Sequence, residues 1–77
     1  MISKEEAQII AHEHIEGIIL QEECKAIASC NSHFPKCWIF HIYHRNKDKN
    51  TFHTVIEILN NGTVGSWDKR FIDEAKD

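Results

Sequence analysis

The chain is poor in the residues that interrupt or staple a backbone. It has one proline, Pro35, and three scattered glycines, Gly17, Gly62 and Gly65. A collagen-like or low-complexity chain is therefore excluded, and so is a glycine-rich loop that cradles phosphates. The longest apolar run is Ile18-Ile19-Leu20, far too short to span a bilayer, so no membrane partner is expected. Cys24, Cys30 and Cys37 are odd in number and contain no Cys-x-x-Cys, which makes a poor disulfide framework. In a reducing compartment each is a small buried hydrophobe. Basic residues are outnumbered, 9 against 12 acids, so a dedicated nucleic-acid binder is not expected. Lys4, Glu5 and Glu6 precede any apolar run, which is not a secretory signal. The expected address is the cytoplasm, or an exported one only where a leader is removed.

What is present suits one small folded domain over residues 1–77. At 42% apolar and 27% charged the chain is too hydrophobic for disorder, yet it is near the length where a single core only just suffices. Charge is unevenly spread. Residues 1–23 set Glu5, Glu6, Glu13, Glu16, Glu22 and Glu23 against Lys4, whereas residues 24–53 set Lys25, Lys36, Arg45, Lys47 and Lys49 against Asp48. Such halves either steer a partner of mixed charge or are simply a solvated helix face and a solvated loop.

Ser3-Lys4-Glu5-Glu6 is a capping box, with Ile2 and Ala7 at the hydrophobic-staple positions and two glutamates at the positive end of the helix dipole. Ala7, Ile10, Ala11, Ile15 and Ile18 then recur at three- and four-residue steps, predicting an amphipathic helix that stops near Gly17. Residues 22–30 alternate weakly, with Cys24, Ala26, Ala28 and Cys30 on one face, a strand close beneath a helix. Asn31 to Lys36 reads as a turn, since Pro35 cannot continue a central strand. From Cys37 to Arg45, Trp38, Phe40, Ile42 and His44 alternate with Ile39, His41, Tyr43 and Arg45, and the first set is the candidate core. Asn46 to Asn50 is a charged hairpin loop. Thr51 to Leu59 is a second β-prone run, with Phe52, Thr54, Ile56 and Ile58 on one face and His53, Val55, Glu57 and Leu59 on the other. Asn60-Asn61-Gly62 tolerates the positive φ of a tight turn, Thr63 to Trp67 is a short closing strand, and residues 69–77 are a helical turn or a frayed tail.

The expected fold is α+β: a two-layer sandwich with the N-terminal helix packed on a three- to four-stranded antiparallel meander. The stretches Ile2-Ser3-Lys4-Glu5-Glu6-Ala7, Trp38-Ile39-Phe40-His41-Ile42, Val55-Ile56-Glu57-Ile58 and Asn61-Gly62-Thr63-Val64 resemble the capped helix, strand pair and glycine turn of PepSY domains. The resemblance covers roughly half the chain and rests on structural motifs. It departs from the family at Ile58, where PepSY domains usually place an aspartate before the turn. It implies a non-enzymatic inhibitory or protein-binding module and assigns no catalytic residue.

Four chemical readings stand beside it. Cys24, Cys30, His33 and Cys37 have the composition of a Cys₃His zinc set, although Cys-x₅-Cys-x₂-His-x₃-Cys is not a knuckle spacing. His41 and His53 can meet if the hairpin register allows, and such a pair can titrate near neutral pH. Cys37 with His41 or His33 could form a nucleophile pair, though nothing in the sequence activates a thiol and the chain is small for a substrate pocket. The loop bases Arg45, Lys47 and Lys49, with Tyr43 and Phe52 at the loop base, are a sparse footprint for single strands. The expectation is a non-enzyme without a cofactor that binds another protein or a second copy of itself. Its surfaces would be the sheet face opposite the helix (Ile39, His41, Tyr43, Val55, Glu57) or the loop with Arg45, Lys47 and Lys49.

Overall fold

The structure is a computed structural model that describes residues 1–28 and 34–72. One helix, α1 (Lys4–Glu13), is followed by four strands: β1 (Ile18–Ala28), β2 (Pro35–Arg45), β3 (Thr51–Leu59) and β4 (Val64–Ile72). Each strand pairs antiparallel with the next, in the order β1-β2-β3-β4, and α1 packs on one side of the sheet. The α+β architecture expected from the sequence is therefore the one observed.

The capping box forms as its residues dictate. Glu6 N donates to Ser3 Oγ at 3.1 Å, and Ser3 N donates to the Glu6 carboxylate at 2.9 Å. Ile2 N also donates to Asn60 O at 2.9 Å, tying the start of the chain to the β3–β4 turn. Ala7 and Ala11 are fully buried, and their small size lets the helix lie close to Phe40, Ile42, Ile56 and Ile58, which have no exposed surface. Ile2, Ile10, Ile15, Ile19, Cys24, Trp38 and Val64 seal the edge of this core.

Four local expectations need correction. The helix ends at Glu13 with His14 as its cap, well short of Gly17, and Ile18 leaves the helical stripe to open β1 at 73% exposure. Gly17 has φ +102° and sits so close to β2 that a Cβ would overlap the Arg45 carbonyl; it serves the α1–β1 crossing, not a helix stop. Strand β1 begins four residues earlier than the alternation suggested, and Ala26 and Ala28 are exposed. A ten-residue helix is only about 15 Å long, and it packs chiefly against β2 and β3. Pro35 opens β2 as its first residue, a position where a missing amide hydrogen costs little. Finally, β4 runs on to Ile72, so Asp68 to Ile72 are strand, with Trp67, Lys69 and Phe71 alternating on the helix side. Residues 73–77 lie outside the described part.

Candidate functional site: the back of the sheet

The pairing register sorts the side chains into rows across the face away from α1. Tyr43 stands opposite Gln21 on one flank and His53 on the other, and His53 stands opposite Arg70. The next row is Glu23, His41, Val55 and Asp68, and the next is Lys25, Ile39, Glu57 and Ser66. No described element lies over these rows. Ile39, His41, Tyr43, Val55, Glu57 and Leu59 are all half-buried, shielded by one another and by their neighbours on the pleat. The five residues expected on this face are thus brought together on it.

At its centre three rings meet. Tyr43 and His53 stack at 4.5 Å between centroids with planes 5° apart, and His41 stacks on His53 at 5.4 Å with planes 23° apart. His41 and His53 are diagonal rather than opposite, because Val55 faces His41 and Tyr43 faces His53. The diagonal still brings His41 Nδ1 within 3.2 Å of His53 Nε2, so one ring nitrogen donates its hydrogen to the other. Burial holds the His53 pKa below the ordinary histidine value; the positive charges of His41 and Arg70 push the same way, and Asp68 opposes them. The sequence pointed to the two histidines but not to Arg70 or Asp68, which belong to the part of β4 read as a tail.

The lower end of the face is quieter. Glu57 accepts from Ser66 Oγ at 3.3 Å and hydrogen-bonds the Cys37 thiol. Cys37 is 3% exposed; burial pushes its pKa up, and the Glu57 bond and charge add to that. An unreactive thiol is the consequence. His41 lies four residues further along the same strand, about 13 Å away, so the Cys37–His41 nucleophile pair does not form.

The basic loop is held by Asn46, whose side-chain oxygen accepts from Asp48 N at 3.0 Å and Asn50 N at 2.9 Å. Lys49 takes φ +65° to close it, and both Lys47 and Lys49 are exposed. Arg45 donates to Thr51 Oγ1 at 3.3 Å. Tyr43 is on the back of the sheet while Phe52 is on the helix side, where it meets His44, Phe71 and the Lys69 ammonium. The two aromatics therefore offer no common platform for a base.

Of the zinc candidates, Cys30 and His33 lie outside the described residues. Cys24 faces the helix side opposite Phe40, while Cys37 is on the back, so the pleat sends the two thiolates to opposite faces. Among the described residues no group of three or more histidine, cysteine or carboxylate side chains is placed to hold an ion.

Two polar clusters on the helix side were not foreseen. Glu22 accepts from Gln8 Nε2 at 2.5 Å and pairs with His12, clamping the helix to β1. His44 is 1% exposed, with Nδ1 3.0 Å from the Glu16 carbonyl and Nε2 2.8 Å from Thr54 Oγ1. A carbonyl can only accept, so Nδ1 carries a hydrogen, and the Thr54 hydroxyl, which can donate or accept, satisfies Nε2. Both act to hold the α1–β1 crossing in place.

Comparison of the chain with protein-family models, with curated proteins and with solved structures finds no match. No described helix is long and apolar enough to cross a membrane.

Proposed function

We propose that this chain is a small, non-enzymatic protein-binding module whose contact surface is the back of the sheet. The observation that carries the reading is the asymmetry of cover. The helix roofs β2 and β3 on one side, whereas Ile39, Tyr43, Val55 and Leu59 share the other with no described element over them. Apolar rows framed by Glu23, Lys25, Asp68 and Arg70 have the make-up of an interface, an apolar and aromatic centre within a charged rim. The loop with Arg45, Lys47 and Lys49 lies at one end of these rows and supplies a positive margin. The PepSY-like resemblance points to the same class, an inhibitory or regulatory binder.

The test is a matched set of captures with the intact chain as bait. A partner held by the wild type and by the helix-surface variant Ile9→Ser, yet lost with Ile39→Lys and with Tyr43→Glu, supports the reading. Retention that ignores both back-face changes removes it.

A further inference from the structure

Among the described residues both outer strands of the sheet have a hydrogen-bonded neighbour on one side only. The two edges differ in the side chains that flank them. Strand β1 carries register shifts near both ends, between Ile19 and Gln21 and between Ile27 and Ala28, irregularities that blunt an edge, and pairs evenly with β2 between them. Strand β4 has one such shift, where Gly65 is skipped between Val64 and Ser66, and then pairs with β3 without a break from Ser66 to Ile72. Its Trp67 and Phe71 are each 60% exposed on the helix side, because α1 stops over β2 and β3. An even edge flanked by two open aromatic rings invites another strand.

The order of residues along β4 says which strand. Laid antiparallel against its own copy with Lys69 facing Lys69, the segment Ser66–Ile72 is self-complementary. Trp67 then opposes Phe71 twice on the helix side, and Asp68 opposes Arg70 twice on the back. Centring on Asp68 or Arg70 instead puts like charges face to face and separates the rings. Only the two Lys69 side chains meet their own kind, and each ammonium is already drawn inward over Phe52, 4.4 Å from its ring centre. Asp68 and Arg70 pair with each other along the strand, Arg70 Nε donating to Asp68 Oδ2 at 3.2 Å, yet they stay 63% and 79% exposed at the side chain and can exchange this contact for one across a seam.

We infer that the chain forms a two-fold dimer by antiparallel pairing of β4 with β4. The two sheets become one, with both helices on the same side and the two back faces side by side. Opposite charges placed directly across such a seam stabilise it, and like charges there oppose it.

Light scattering and sedimentation across a concentration series test this. The wild type is expected to dimerise, and Asp68→Arg to weaken the dimer about tenfold or more by setting arginine against Arg70 at both symmetric positions. The exchange D68R/R70D restores the opposition and should return the dimer to within about threefold of wild type. Circular dichroism of each variant checks that the monomer fold survives. A monomeric wild type, a dimer indifferent to Asp68→Arg, or an exchange that rescues nothing overturns the inference. Ile39→Lys separates it from the protein-binding reading: here the dimer should persist, and a dimer abolished by that change would belong to the back face instead.

Discussion

Four groups bear on the imidazole of His53: the stacked rings of Tyr43 and His41, and Arg70 and Asp68 from β4. Burial and two neighbouring positive charges disfavour its protonation in the folded state, so the unfolded chain takes up the proton more readily. Stability from this source is therefore complete above the ordinary histidine value of 6.5 and declines as the pH falls through it towards the lowered folded value. We expect a lower melting temperature at pH 5.5 than at pH 7.5, with His53→Gln narrowing the gap. An undiminished gap in that variant would mean that other groups carry the acid sensitivity.

At the scale of elements, the two positive-φ glycines divide local strain from crowding. Gly62 closes the β3–β4 turn at φ +91°, where a Cβ would find Ile2 and Ile10 at 3.7 Å, an ordinary contact. Gly17 adds a collision with the Arg45 carbonyl to its φ of +102°. Gly62→Ala should cost about 1–2 kcal/mol from backbone strain alone. Gly17→Ala should cost more, because the α1–β1 crossing must move away from β2, and urea denaturation of the two variants measures the difference. Equal costs would show that the crossing yields freely. The same positions show what could be seen in the chain beforehand. The Asn60-Asn61-Gly62 turn and the β2 and β3 alternations were legible because local chemistry and the period of two agree there. Gly17 was misread because its reason for being glycine is a strand 28 residues away, which no local pattern carries. The length of β4 was hidden similarly: Asp68, Lys69 and Arg70 are polar on both faces, and only pairing with Val55, Thr54 and His53 makes them strand. The back-face residues were named from alternation, whereas the meeting of His41 with His53 depended on a register that the sequence leaves open.

The molecule as a whole is a slab, with extents of 45 × 21 × 17 Å and a helix too short to cover its length. Among the described residues six fully buried apolar side chains, two of them alanines, form its core, a modest store for a chain near the lower size limit of independent folding. Association is a direct way to add buried surface to such a slab, and β4 offers both backbone groups and aromatic rings for it. If folding and β4 pairing are linked, the unfolding equilibrium contains the protein concentration, and dilution favours the unfolded chain. For two 77-residue chains unfolding together, each tenfold increase in concentration should raise the melting temperature by about 3–5 °C. Asp68→Arg should flatten that dependence, since a folded monomer melts at a temperature independent of concentration, and D68R/R70D should restore it. A wild-type melting temperature constant over a hundredfold range of concentration would mean that the slab is held together by its own core, with the edge of β4 facing only water.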